Sequence, residues 1–168
     1  MSDNNVCQEK TFHSIFIEQA ERLRNFIYYK TGNLQQAEDL VQDAFGKLWE
    51  NCAKVTLDKA KSYLFTVANN LFLNQVAHQK VVLKFEGKGH SQQSNETPQY
   101  LLEEQEFKQR LESAISALPE GQRIVFLMNR IDKKKYREIA EELGISVKAV
   151  EKRMHQALAA LRKIHKKV

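Results

Sequence analysis

From Ala37 to Trp49 the apolar residues Ala37, Leu40, Val41, Ala44, Phe45, Leu48 and Trp49 recur at i, i+3, i+4, i+7, i+8, i+11 and i+12. That is one continuous inward stripe of an amphipathic helix. An earlier helix is predicted from about Ile15 to Lys30, with Phe16, Ala20, Leu23 and Ile27 inward, stopping at the Thr31-Gly32-Asn33 turn. A third runs from near Asp58 to about Gln79 on a core stripe of Leu64, Val67, Ala68 and Leu71. Its other side places Phe65, Phe72 and Val76 among Thr66, Asn69, Asn70, Asn74 and Gln75, so the helix is nearly apolar all round. Two readings follow: the rings pack under another helix, or an aromatic and amide face stacks on unpaired bases.

The pattern changes after residue 105. Phe107, Leu111, Ala114, Ile115 and Leu118 have helical spacing, Pro119 ends that helix and opens the next, and Ile124 to Met128 supply a further core segment. Tyr136 to Leu143 reads as a short helix with Tyr136, Ile139, Ala140 and Leu143 inward. Gly144 then sits where a left-handed cap is needed, and Ser146 is placed to N-cap the next helix. Small Ala140, the glycine turn and Val150 as closing wedge make a helix-turn-helix. In its second helix Val147, Val150, Met154, Ala157, Leu158 and Leu161 face inward, while Lys148, Lys152 and His155 point out, flanked by Glu151, Arg153 and Gln156. Lys and Arg pair with guanine O6/N7 or phosphate, Gln bridges adenine, and Glu accepts from cytosine N4, so this row has the chemistry of a recognition helix. Lys133, Lys134, Lys135 and Arg137 suit backbone phosphates.

Between the two groups of helices, Glu86 to Gln99 holds two Gly, one Pro and mostly polar residues without any apolar period. The chain therefore reads as all-α: an N-terminal three- or four-helix bundle over residues 10–80, a flexible linker over 81–105, and a C-terminal helix-turn-helix domain over 106–166. Charge follows this division. Lys+Arg against Asp+Glu is 9 to 9 in residues 1–80, 2 to 4 in 81–105 and 15 to 8 in 106–168. The formal charge of +5 thus conceals a neutral half and a basic unit of net +7 suited to a polyanion. The outward face of the second helix is acidic, with Asp39 and Asp43 one turn apart beside Gln42: either a solvated face or a docking surface for a basic partner helix.

Several classes are set aside. With 42% hydrophobic residues the chain is neither collagen-like nor wholly disordered. No apolar run reaches the roughly 20 residues of a membrane span, and the first ten residues are polar, so a cytoplasmic protein without membrane insertion is expected. Cys7 and Cys52 lie 45 positions apart outside any metal-ligand spacing, so free thiols, no disulfide, no metal and no cofactor are expected. The five histidines are scattered and no HExxH, GxSxG or P-loop occurs, so no catalytic residues are assigned and an enzyme is not expected.

Across nearly its whole length the sequence resembles bacterial RNA polymerase sigma factors of the sigma-70 type, in the short two-domain extracytoplasmic-function (ECF) group. The resemblance is carried by AEDLVQDAFGKLWE (Ala37 to Glu50), which looks like the core-polymerase-binding helix of region 2, and by the stretch from Leu118 to Leu158, which looks like region 4. It implies that Asp39, Gln42 and Asp43 contact core RNA polymerase, with Phe45, Leu48 and Trp49 packed behind them. It implies that Ser62 to Asn74 faces the minus-ten promoter element, through Phe65, Asn69, Asn70, Phe72 and Asn74. The preceding loop, Cys52 to Asp58, would border a pocket for a base flipped from the melted strand, a step that costs a few kcal/mol of unstacking. Lys148, Glu151, Lys152, Arg153, His155 and Gln156 would read the minus-thirty-five element, with Lys134, Lys135 and Arg137 on phosphates. An anti-sigma factor is the further partner the resemblance implies. Two features depart from the family pattern: Gln75, His78 and Lys80 stand where relatives often carry an arginine cluster, and Glu151 and Gln156 occupy positions that are often basic. The competing reading is a conventional helix-turn-helix regulator that acts without being a polymerase subunit.

Overall fold

The computed structural model describes residues 5–75, 81–85 and 97–165. Among them the chain folds into helices α1 (Glu9–Thr31), α2 (Leu34–Glu50), α3 (Leu57–Gln75), α4 (Pro98–Ser116), α5 (Glu120–Arg130), α6 (Tyr136–Leu143) and α7 (Val147–His165), and no strand is present. The last residues of the predicted third helix, 76–79, lie outside the described residues, as do residues 86–96 of the Gly/Pro-containing stretch 86–99. Residues 98–105, expected in the linker, already form the first two turns of α4, where Thr97 Oγ1 accepts the Tyr100 N–H (3.4 Å) and Pro98 occupies the first turn.

The first bundle is built on a tight α1–α2 hairpin. Gly32 adopts φ +66°, its N–H closes on the Tyr28 carbonyl (2.8 Å), and Asn33 then caps α2 by accepting the Gln36 N–H (3.0 Å). Leu23, Ile27, Leu40, Leu48 and Leu64 are wholly buried between α1, α2 and α3, each worth about 1.5–3 kcal/mol of burial. The inward face of α1 is rotated from the expected stripe. Ile15, Leu23, Phe26 and Ile27 are buried, while Phe16 is 42% exposed, because α1 packs on α2, α3 and α5 at once and needs a broad face. Trp49, expected inward, is 49% exposed.

The cysteine expectation is overturned: Cys7 and Cys52 form a disulfide. The cause is the antiparallel hairpin, which returns the end of α2 beside the start of α1, so residues 45 apart in sequence have Cα atoms 5.0 Å apart.

In the C-terminal unit, Ile124, Val125, Leu127 and Met128 of α5 meet Ile139 and Ala140 of α6 and Val150 and Met154 of α7. Val147, expected inward, is exposed because it stands at the first position of α7, beyond that core. The two units are docked. Arg123 of α5 donates to the Tyr29 carbonyl of α1 (2.8 Å) and to its own Leu118 carbonyl (2.8 Å). Lys30 pairs with Glu120 (3.0 Å), Lys61 of α3 pairs with Glu142 of α6 (2.9 Å), and Tyr29 Oη donates to Asp132 (2.7 Å). Residues 81–85 run between α1 and α4, with Leu83 buried, its N–H on Ser116 Oγ (3.0 Å) and the Lys84 N–H on Tyr28 Oη (3.0 Å).

Candidate nucleic-acid and polymerase interfaces

The helix-turn-helix is assembled as its residues require. Gly144 caps α6 at φ +64°, ψ +35°, and Ser146 Oγ accepts the Ala149 N–H (3.1 Å) at the start of α7. The Lys135 N–H bonds the Glu138 carboxylate (2.8 Å) at the start of α6, which holds that carboxyl below the usual glutamate range. With Ile139, Ala140 and Val150 buried between the helices, α7 is rigidly aimed. Lys148, Glu151, Lys152, His155 and Gln156 are all exposed on it, and their spacing of three and four residues aligns them on one face.

Arg153 does not share that face. Its guanidinium lies on α5 at Gly121, where a Cβ would meet it at 3.2 Å, so its first role in this arrangement is packing between α5 and α7. Lys134 is likewise withdrawn. It is 7% exposed, ion-paired to Glu142 (2.5 Å) and set over the Phe65 ring (5.6 Å), and so is no phosphate contact in this arrangement. Lys135 and Arg137 are exposed.

On α3 the expected minus-ten residues divide. Phe65 and Phe72 are 3% and 5% exposed. Phe65 packs on Phe26 (5.2 Å between centroids), and Lys30 Nζ lies over Phe72 (5.0 Å). Neither ring is open to a base, which corrects the expectation of an aromatic stacking face. Asn69 is half-buried and accepts from Lys30, the lysine that also pairs with Glu120 of the C-terminal unit. Asn70 and Asn74 are exposed. The docked unit thus reaches the amide face of α3.

On α2, Asp39, Gln42 and Asp43 are exposed, with Asp39 steadied by Gln35 Nε2 (3.1 Å). Beside them is a feature that the sequence reading missed: an apolar groove between α1 and α2. Gln42 and Glu38 edge it, and its walls include Phe12, Phe16, Ile17 and Trp49. Trp49 meets Phe12 edge-on at 5.0 Å, and Phe16 meets Phe45 at 4.9 Å. The signal was present in Phe12 and Ile17, which widen the apolar side of α1 next to Phe16 and Ala20.

A partly buried polar cluster lies where the two units meet. Asp132 accepts from Tyr29 Oη (2.7 Å) and Asn25 Nδ2 (3.0 Å) while its second oxygen is unpartnered. Burial raises its pKa, against the lowering effect of those two bonds and of Lys134. Burial, then the hydrogen bond and charge of Asp132, hold the Tyr29 phenol far above the usual tyrosine range.

Comparison with known proteins agrees with this anatomy. Residues 16–81 match the model for sigma-70 region 2, and residues 108–161 that for sigma-70 region 4. The RNA polymerase sigma factor YlaC of Bacillus subtilis is 24% identical over 91% of this chain and 91% of its own length, and the ECF RNA polymerase sigma factor SigW of the same organism is 27% identical over 85% and 82%. The ferric citrate uptake sigma factor FecI of Escherichia coli is 26% identical over 88% and 87%. Among solved structures, the sigma factor RpoE of Bartonella quintana, crystallised with the anti-sigma factor NepR, superposes with a TM-score of 0.64 over 94% of this chain and 98% of that one, at 21% identity. With both sigma regions present in order, separated by the weakly patterned stretch and spanning α1–α3 and α4–α7, the chain belongs to the ECF group of the sigma-70 family and is a promoter-directing RNA polymerase sigma factor.

Proposed function

We propose that the acidic row and apolar groove of α1 and α2 form the polymerase-docking face, with Asp39, Gln42 and Asp43 as polar contacts and Trp49 as an apolar anchor. Exposed aromatic side chains ringed by acidic and amide groups suit a basic amphipathic helix, whose charge sets orientation and on-rate while the groove supplies affinity. Lys148, Glu151, Lys152, His155 and Gln156 read duplex DNA in the major groove, and Lys135 and Arg137 contact phosphates. Asn70 and Asn74, joined by Asn69 once Lys30 is drawn away, take up the melted minus-ten strand. The protein acts in the cytoplasm without catalysis, and by likeness to the RpoE–NepR complex a masking protein partner is expected.

The observation that carries this reading is the exposed row on a capped, rigidly aimed α7 together with a separate acidic-apolar face on the other unit. Two weak contacts held on one polymerase gain through effective concentration. The test is run-off transcription and gel retardation with and without core enzyme. Lys152→Ala is expected to weaken promoter binding and leave core association intact, and Asp39→Ala with Asp43→Ala to do the reverse. Tight specific duplex binding by the protein alone, with no stimulation of core, would establish the conventional regulator instead.

A further inference from the structure

The Cys7–Cys52 pair has no part in the reading above, yet it is placed where that reading is most sensitive. The segment before α1 touches the α2–α3 loop at both its ends. Near the start of the loop the bond joins Cys7 to Cys52, and at its far end Asn5 pairs with Thr56 in an isolated antiparallel bridge. Between these, Val6 is buried, while Cys7 donates its N–H to Asn5 Oδ1 (3.0 Å) and so folds the segment into a compact strap. Thr56 also accepts the Lys59 N–H (3.0 Å) and hydrogen-bonds Asp58, so the strap is fastened to the residue from which α3 departs. Both cysteines are only partly buried, so the pair lies at the surface and not in the core.

We propose that Cys7 and Cys52 are a reversible thiol–disulfide site, exchanging with low-molecular-weight disulfides and with dithiol reductases, and that the oxidised form holds the strap on the 52–58 loop and restrains capture of the flipped base. The second half rests on the reading of that loop as the border of the base pocket. A polymerase subunit works where thiol buffers keep cysteines reduced, so a bond at this surface reports a change in redox conditions. In the oxidising direction, one cysteine thiolate attacks a disulfide such as oxidised glutathione, forming a mixed disulfide and expelling one thiolate. The second cysteine thiolate then displaces the other. One S–S bond is broken and one formed, the protein pair is oxidised by two electrons, and the reagent is reduced to two thiols. Reduction leaves Leu23, Leu40, Leu48 and Leu64 packed as before, so the helices persist while the strap is held only by Val6 and the single bridge.

The full-length protein is equilibrated in glutathione buffers of graded ratio, quenched with a polyethylene-glycol maleimide and resolved by mass. The expected result is a transition between two labels and none. Both forms are then given to core enzyme on promoter DNA, and strand opening is read by permanganate reactivity. Opening by the oxidised form is expected to fall about tenfold, about 1.4 kcal/mol, while protection of the minus-thirty-five duplex is unchanged. Cys7→Ser is expected to open promoters as the reduced protein does in either buffer. Two labels at every glutathione ratio, equal opening by the two forms, or greater opening by the oxidised one would each overturn the proposal. Failure of both forms to stimulate core would instead overturn the sigma reading of the loop, and the pocket part of the proposal with it.

Discussion

Two glycines show how one backbone requirement can have different consequences. Gly32 and Gly144 both adopt positive φ at a helix end, +66° and +64°. At Gly144 a Cβ would meet nothing within 4 Å, so Gly144→Ala carries only the conformational cost of about 1 kcal/mol. At Gly32 a Cβ would lie 2.8 Å from the Val82 nitrogen and 2.9 Å from its carbonyl oxygen, backbone atoms that cannot swing aside. Gly32→Ala is therefore expected to cost about 2 kcal/mol or more, because the 81–85 segment must also lift from the hairpin. Urea denaturation of the two variants measures the difference. Ser146→Ala belongs with these: it removes the hydroxyl that accepts the Ala149 N–H, for about 1 kcal/mol at the start of α7.

At the scale of elements, α7 separates reading from packing. Lys148 and Lys152 stand on the exposed row, so Lys152→Ala is expected to weaken duplex binding and lower the salt slope by about one. Arg153 rests on Gly121, so Arg153→Ala is expected to loosen α5 against α7, lowering thermal stability with little change in salt slope. Titrating binding against salt while following melting separates the two. The same residues show what was legible beforehand. Caps, turn glycine and wedge were readable because each is set by local backbone geometry, and α6 runs over the predicted residues. The withdrawal of Arg153, Lys134, Phe65 and Phe72 was not readable, because periodicity assigns a face to a helix but not the neighbour that covers it. Phe65 is buried partly by Lys134, a residue of the other unit. The disulfide escaped for a related reason: spacing of 45 residues says nothing until the α1–α2 hairpin brings its ends together.

At the scale of the whole molecule, the docked arrangement stands against the proposed reading of two promoter elements by the two units. For that reading the units would part, and a connection of about 20 residues can extend to roughly 65–70 Å. In the docked form, however, Glu120 holds Lys30 on Asn69, and Asp132 is clasped by Tyr29 and Asn25. The Asp132 cluster sets how tightly the units hold. Its carboxyl is raised above the ordinary aspartate range by burial, so the docked form binds the proton more strongly than the parted one. Its contribution to docking is then complete below the usual aspartate pKa of about 3.9 and is lost as pH rises through the raised docked value. Asp132→Asn keeps an oxygen for the Tyr29 hydroxyl and removes the buried charge, so it is expected to tighten docking at neutral pH. Tyr29→Phe removes a donor from a carboxylate that already has one unpartnered oxygen, and is expected to loosen docking by about 1–3 kcal/mol. Energy transfer between dyes on the two units reads both effects. The difference between wild type and Asp132→Asn, followed from about pH 4 to neutrality, isolates this carboxyl from the Glu120 and Glu142 pairs, which both proteins share. If the docked form restrains initiation, Asp132→Asn slows promoter opening and Tyr29→Phe speeds it, whereas equal rates would show that polymerase parts the units without regard to this cluster.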